Sequence, residues 1–298
     1  MLTNDKYVLA MGELLIDAIS STQVDDLSQA RYLNIHTGGS TANFCRYLKR
    51  CGTLGHIVAA VGEDGFGKIL LEKVVQEGLE TTHIHVTPKH FTSLIVVGRT
   101  AQTPDFIPYR DADKFIPAID EDLLKNAAWL HTSSFALSAE PAQTNILRSI
   151  GKAVIFGVPA SVDWNYSEKI WDSHEQALQI FRQLLNFNVS FKFSLDDVSR
   201  FWQHPDIDIP TALAYLEQVQ AAFVCLTCGG DGVYYKNGQA TTWEYAAVQP
   251  IKVQNATGAG DSFWAGYIHA RLAGEENDSL AVGNAIRVAS LKLQGLLV

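Results

Sequence analysis

Small and acidic residues near the end of the chain form a pattern that could bind and transfer a phosphate. Residues 255–263 read Asn-Ala-Thr-Gly-Ala-Gly-Asp-Ser-Phe and lead from a turn into a helical pattern. Gly258, Ala259 and Gly260 let backbone N–H groups approach an anion, and the helix start adds the favourable end of its dipole. Asp261 could accept the proton of a hydroxyl group aimed at phosphorus. Alternatively, Asp261 only helps to cap the helix.

A second glycine-rich turn, residues 37–43 (Thr-Gly-Gly-Ser-Thr-Ala-Asn), also opens a helix. Gly39 allows close backbone approach, and the amide of Asn43 can distinguish hydroxyl positions because it both donates and accepts. Asp17 follows the first strand, where α/β sheets commonly place ligand groups. These residues could bind a polar substrate, or they could be an ordinary turn and a solvated carboxylate.

Two other motifs are better explained as structural. Residues 62–68 have the glycine and lysine spacing of a P-loop, but Ile69 stands where magnesium binding needs Ser or Thr. Cys225 and Cys228 form a single CxxC with no second pair at zinc-site spacing. We interpret the first as a turn and the cysteines as structural.

Composition excludes several classes of protein. The 298 residues carry 23 Lys and Arg against 32 Asp and Glu, a net charge of −9 that opposes binding to nucleic acid. Four cysteines are too few for a disulfide framework. Met1–Tyr7 lacks the pattern of a signal peptide, and the apolar runs are too short to cross a membrane. We expect a cytoplasmic protein without a membrane partner.

Strand-like and helix-like segments alternate, which favours a parallel sheet with helices on both faces. Two stretches, 18–36 and 92–110, break the alternation and predict a small second sheet. The predicted strands are 8–16, 56–61, 129–132, 153–156, 189–193 and 223–226, followed by a hairpin in 233–242; the predicted helices are 40–51, 66–77, 259–272 and 279–293.

The motifs together resemble the ribokinase-like (PfkB) carbohydrate kinases, in particular the fructokinase and ketodeoxygluconate kinase branch. Residues 257–263 are similar to the C-terminal signature of that family, and residues 38–43 to its N-terminal signature. Residues 61–67, 163–166 and 227–232 resemble three further family segments in the same order. The resemblance implies an α/β fold, a Rossmann-type three-layer sandwich with a small β-sheet lid. It also implies a single kinase domain, 1–298, whose lid comprises approximately 18–36 and 91–113.

The resemblance also implies roles for individual residues. Asp261 would be the catalytic base, and the backbone of Gly258, Ala259 and Gly260 the anion hole. The other implied residues are Asp17, Gly39, Asn43 and Arg110 for the sugar, Asn165, Ser194, Thr227, Gly229, Gly232 and Asn284 for ATP, and Asp197 for magnesium through water.

The implied reaction is transfer of the γ-phosphate of ATP, with Mg²⁺, to a hydroxyl of fructose or of a related ketose or sugar acid. Activation by K⁺ stays open because Asn255 replaces the usual aspartate. The alternatives are a nucleoside kinase of the same superfamily, with Phe91, Phe106 and Tyr109 as a base clamp, and a non-catalytic sugar sensor. The resemblance further suggests a homodimer that pairs through the lid.

Overall fold

Two sheets organise the part of the chain, residues 6–100 and 105–297, that the computed structural model describes. In chain order the strands are β1 (Tyr7–Met11), β2 (Leu15–Gln23), β3 (Leu33–Gly38), β4 (Gly55–Gly62), β5 (Ile84–Thr87), β6 (Leu94–Arg99), β7 (Asp105–Tyr109), β8 (Ala127–Ser133), β9 (Ala160–Asp163), β10 (Ser190–Ser194), β11 (Phe223–Thr227), β12 (Val233–Asn237) and β13 (Glu244–Ala246).

The large sheet has the order β13-β12-β11-β10-β9-β8-β1-β4-β5, and its strands from β11 to β5 run parallel. Its central strand, β1, is the apolar run Tyr-Val-Leu-Ala-Met, and Val8–Met11 is fully buried. Such continuous apolar runs are typical of strands covered by helices on both faces. The carboxyl ends of the parallel strands therefore meet at one edge, where ligands bind in α/β folds.

Helices cover both faces of the large sheet. They are α1 (Ser40–Arg50), α2 (Gly65–Gln76), α3 (Glu121–Asn126), α4 (Ala142–Ile155), α5 (His174–Leu185), α6 (Leu195–Phe201), α7 (Ile209–Leu216), α8 (Ala259–Leu272) and α9 (Asp278–Leu293). One core joins the sheet to α1, α2, α8 and α9, and the other joins it to α3 through α7. This confirms the predicted three-layer α/β fold. No helix within the described residues is long and apolar enough to cross a membrane.

The small sheet has the order β3-β2-β6-β7 and comes from the two stretches that broke the predicted alternation. Its cross-strand row of Asp17, His36, Ile95 and Pro108 lies on one face, and the neighbouring row, centred on Ala18, lies on the other. Residues 101–104 of the predicted lid lie outside the described residues. The division into one domain with a lid stays a prediction.

Two predicted strands were wrong, one in its extent and the other in its type. The run 8–16 is split, because β1 ends at Met11 and the chain turns at Gly12 before β2. A Cβ on Gly12 would lie 1.9 Å from Oγ1 of Thr41, so α1 packs directly against this turn. The run 153–156 is the last turn of α4, since a short apolar run does not distinguish a strand from a buried helix.

Close packing of α8 on α9 generates a stability prediction. A Cβ on Gly266 would lie 2.9 Å from Cα of Ala285 and from Val288, so Gly266→Ala must push the helices apart. We expect the free energy of unfolding, measured by chemical denaturation, to fall by about 1–3 kcal/mol.

The matched control is Gly283→Ala in α9, where the added Cβ meets no atom within 4 Å. That variant should be as stable as the wild type or more stable, because alanine favours a helix over glycine. Equal losses in both variants would contradict the packing argument.

Candidate active site

A cavity of about 450 Å³ opens at the carboxyl edge of the large sheet, beneath the inner face of the small sheet. Both glycine-rich turns and most of the predicted site residues meet there. Its lining includes Asp17, Gly39, Asn43, Asn165, Ser194, Asp197, Gly258, Ala259, Gly260 and Asp261. Residues more than 240 positions apart in sequence therefore share one cavity.

The N-terminus of α8 forms the floor of this cavity. Gly258 caps the helix with φ of 79°, a left-handed conformation that favours glycine. A Cβ on Gly260 would lie 3.1 Å from Nζ of Lys192, so only a small residue lets this turn approach the lysine. The first N–H groups of α8 and its dipole make the turn suited to an anion.

Asp261 lies in the first turn of α8 and is only 8% exposed. Its Oδ1 accepts a hydrogen bond from Oγ of Ser40 at 2.5 Å. Burial raises the pKa of Asp261 to about 7, and the nearby Asp163 and Glu13 raise it too, whereas hydrogen bonds from Ser40 and Asn43 act in the opposite direction. A carboxyl group with this pKa can exchange a proton near neutral pH.

The start of α1 is fixed by a carboxylate that sequence reasoning missed. Glu13, in the turn between β1 and β2, accepts hydrogen bonds from the backbone N–H of Ser40 and from Oγ of Ser133, both at 2.8 Å. Burial raises the pKa of Glu13 to about 6. Gly39, with φ of 108°, lies against this turn, because a Cβ there would be 2.2 Å from the carbonyl oxygen of Glu13. The signal available in the sequence was an acidic residue directly after a buried strand.

Asp17 and Asn43 line the half of the cavity that lies beneath the small sheet. Burial raises the pKa of Asp17 to about 6. A Cβ on Gly38 would lie 2.1 Å from Oδ2 of Asp17, so the first glycine of this turn leaves the space that the carboxylate occupies. Apolar side chains complete this half, which we call the acceptor half: Leu15, Ile95, Val97, Phe106, Phe135 and Ile170.

A buried ion pair, also missed from the sequence, borders α8. Nζ of Lys192 on β10 lies 2.7 Å from Oδ1 of Asp163 on β9, and both side chains are buried. Burial alone would lower the pKa of Lys192, but the carboxylates of Asp163 and Asp197 outweigh it and hold the lysine charged. A lysine inside the apolar run Phe-Lys-Phe was the signal, since such a charge needs a partner.

Asp197 closes a capping box with Ser194 at the start of α6, and its Oδ2 accepts the backbone N–H of Ser194 at 2.7 Å. Burial raises the pKa of Asp197 to about 6. Among the described residues no group of three or more acidic, histidine or cysteine side chains forms a metal cage. As a single protein ligand, the carboxylate of Asp197 would fit Mg²⁺ held mainly by water and phosphate oxygens.

The turn that leads into α8, residues 256–260, is called the α8 turn. A second cavity, of about 520 Å³, lies on its other side and shares Ala256, Ala259 and Gly260 with the first. It contains three of the residues predicted for the nucleotide, Thr227, Gly229 and Gly232. The remaining lining is mainly apolar and includes Val233, Val248, Pro250, Ile251, Val253, Phe263, Ile286, Ala289 and Leu293. We call this cavity the nucleotide cleft.

Two predicted site residues do not line either cavity. The guanidinium of Arg110 is buried, pairs with Asp113 at 2.6 Å and lies 4.2 Å from the ring centre of Phe135. Nδ2 of Asn284 donates to the carbonyl of Gly266 at 2.7 Å and so joins α9 to α8. In the structure, Arg110 forms an ion pair and Asn284 joins two helices. The ligand-binding roles predicted for these two residues stay predictions.

The motifs interpreted as structural have structural partners. Asp64 caps α2 through the N–H of Gly67 at 2.8 Å, so the segment 62–68 joins β4 to α2. Cys225 and Cys228 are buried free thiols, and burial raises the pKa of both.

Comparison with known proteins points to one family. Residues 5–296 match the model described as pfkB family carbohydrate kinase. An ATP-dependent 6-phosphofructokinase of Thermoanaerobacterium thermosaccharolyticum is 32% identical over 298 residues, which cover 98% of this chain and 90% of that protein. A fructokinase of Salmonella typhimurium is 28% identical over 88% of this chain and 83% of its own. The solved fructokinase of Halothermothrix orenii is similar with a TM-score of 0.82 at 27% identity, over 95% of this chain and 98% of that chain.

The burial of Asp261 generates a prediction about stability and pH. Because its native pKa is raised from 3.8 to about 7, this carboxyl contributes stability that is present below about pH 4 and lost as the pH rises through about 7. Asp261→Asn removes the buried charge, so we expect it to melt several degrees above the wild type at about pH 8. The difference should vanish towards about pH 4.

Asp196→Asn is the control for this measurement, because the side chain of Asp196 is 82% exposed. Its melting temperature should follow that of the wild type at every pH. A constant offset between Asp261→Asn and the wild type would show that burial of the charge is not the cause.

Proposed function

Because this chain belongs to the PfkB family of carbohydrate kinases, we propose that it phosphorylates a hydroxyl group of a neutral ketose, with fructose as the first candidate. Family membership confirms the predicted enzyme class, an ATP-dependent carbohydrate kinase. The observation that carries the proposal is the position of Asp261, at the turn that the acceptor half and the nucleotide cleft share. The relatives with fructokinase names support fructose.

Charge in the acceptor half favours a neutral sugar over a sugar phosphate. Within the described residues, three cations contact side chains that line this half, and each is paired with a carboxylate. Arg110 lies on Phe135 and pairs with Asp113, and Lys169 lies on Phe106 and pairs with Asp105. Arg46 donates to Asn43 and pairs with Glu77. A phosphate on the acceptor would have to compete for them and would also face the carboxyl group of Asp17. Fructose 6-phosphate remains the second candidate, because the relative at 32% identity is a 6-phosphofructokinase.

In the proposed reaction, Asp17, Gly39 and Asn43 hold the sugar, and Asp261 takes the proton of one hydroxyl group. The sugar oxygen then bonds to the γ-phosphorus while the bond from that phosphorus to the β–γ bridging oxygen breaks, and ADP leaves. The N–H groups at Gly258–Gly260 stabilise the transferring phosphoryl group. Asn165, Ser194, Thr227, Gly229 and Gly232 contact the nucleotide.

Mg²⁺ is assigned to the site because Asp197 offers a buried carboxylate beside the α8 turn. The ion would be held through water on Asp197 and would neutralise phosphate charge when bound. The neighbouring Lys192 stays charged through Asp163 and supplies a fixed positive charge from the protein itself.

A homodimer through the small sheet stays part of the proposal. The face away from the cavity exposes apolar side chains on both edge strands, Leu33 and Ile35 on β3 and Ile107 and Tyr109 on β7. Exposed apolar strand edges of this kind favour pairing with a second copy.

The alternatives fit the contacts less well. Of the aromatic residues considered as a clamp for a nucleoside base, only Phe106 lines the acceptor half, whereas Phe91 and Tyr109 line a separate groove with Phe66. A sugar sensor without chemistry would not need Asp261 buried at the α8 turn, where the buried charge costs stability.

The direct test is ADP release with Mg·ATP from fructose, fructose 6-phosphate, ketodeoxygluconate, ribose and nucleosides. We expect fructose to give the highest kcat/KM. A higher value for fructose 6-phosphate would overturn the charge argument and leave the kinase assignment in place. No turnover on any acceptor, with sugar binding detected by calorimetry, would favour the sensor.

For Asp261→Asn we expect kcat to fall by roughly 10²-fold or more, because a positioned general base typically contributes about 10²–10⁴. Calorimetry should show that the variant binds ATP as the wild type does. Near-normal turnover in the variant would refute the assignment of Asp261 as the base.

We also expect activity without K⁺. Nζ of Lys292 donates to the carbonyl of Asn255 at 2.6 Å, so the segment before α8 already has a cation bound to its backbone. Initial rates should be the same in potassium chloride and in choline chloride of equal ionic strength. A rise specific to potassium would show that a separate cation site is needed.

A further inference from the structure

Going beyond the proposed reaction and resting on it, we infer that Ser40 is a positioning residue, which holds one oxygen of Asp261 and leaves the other for the sugar hydroxyl. Ser40 stands directly after the two glycines of the first turn, and its hydroxyl donates to Oδ1 of Asp261 at 2.5 Å. The bond joins residues 221 positions apart, the first residue of α1 and the first turn of α8.

The second oxygen of Asp261 faces the anion-binding turn. A Cβ built on Gly258 would lie 3.5 Å from Oδ2, which places this oxygen on the side of the turn that receives the phosphoryl group. With Oδ1 occupied by Ser40, the carboxylate cannot rotate freely about its last bond. Asn43 is a further donor to this carboxylate, and Oδ2, the oxygen near Gly258, is the one that we assign to the acceptor hydroxyl.

Ser40 can hold Asp261 only because Ser40 is itself fixed. Its backbone N–H donates to Oε1 of Glu13, and Oε2 of Glu13 accepts from Oγ of Ser133 on β8, both at 2.8 Å. Glu13 is only 3% exposed. The chain of contacts from β8 through Glu13 and Ser40 to Asp261 fixes the base relative to the large sheet.

The hydrogen bond also favours the ionised form of Asp261, the form that accepts a proton. Removing it should therefore make the base protonated over a wider range of pH. The titratable groups that face Asp261 from the surrounding elements are Glu13, Tyr47 on α1, Asp163 on β9, Lys192 on β10 and Lys292 on α9. None of these groups is altered by substitution of Ser40.

The experiment compares pH profiles of kcat/KM for the sugar in the wild type, Ser40→Ala and Ser40→Thr. The acid limb of Ser40→Ala should move up by about one to two pH units, because hydrogen bonds to charged groups have that strength. The rate on the alkaline plateau should also fall, because without Ser40 the ionised carboxylate of Asp261 is free to rotate. Ser40→Thr keeps the hydroxyl group and should keep the wild-type limb.

Ser149→Ala is the matched control, since it removes a buried hydroxyl on α4 that donates to the carbonyl of Asn145, away from both cavities. If Ser40→Ala does not fold, Ser40→Cys replaces the hydroxyl by a weak donor and should show the same shift. An acid limb that does not move in Ser40→Ala, whether or not the rate falls, would refute the role of Ser40. A wild type without kinase activity, or an active Asp261→Asn, would refute the proposed function instead.

Discussion

Burial of one carboxylate at the start of a helix is the constraint on which this site depends. Asp261, the proposed base, is nearly removed from water, and that burial disfavours its charged form. The structure offsets the cost with the dipole of α8 and with hydrogen bonds from Ser40 and Asn43 on α1. Both helices belong to the same core, so packing of that core fixes the geometry of the base.

The two cavities follow from the same arrangement. The α8 turn is thin enough to be shared because Gly258 adopts a left-handed conformation and Gly260 lies against the Lys192–Asp163 pair. On one side the lining is acidic and apolar, and on the other it is mainly apolar. A polar, uncharged acceptor suits the first environment, and the flat base of a nucleotide suits the second. The acceptor hydroxyl and the terminal phosphate would then meet at Asp261.

The sequence was sufficient to predict the fold class, the small sheet and the glycine-rich turn that opens α8, because glycine spacing and apolar periodicity are local signals. It was not sufficient to predict Glu13 or the Lys192–Asp163 pair, since their meaning comes from partners on other strands. The roles predicted for Arg110 and Asn284 stay predictions, and sequence alone did not show that both side chains also hydrogen-bond within the framework. The strand predicted at 153–156 was wrong, because a short apolar run has the same sequence pattern in a strand and in a buried helix.

A crystal structure with fructose and a non-hydrolysable ATP analogue would show directly whether Asp261 lies between the acceptor and the terminal phosphate. We expect the analogue in the nucleotide cleft with its terminal phosphate at Gly258–Gly260. One fructose hydroxyl should be hydrogen-bonded to Oδ2 of Asp261 while Oδ1 keeps its bond to Ser40. A fructose molecule bound away from Asp261, or a phosphate chain that does not reach the α8 turn, would contradict it.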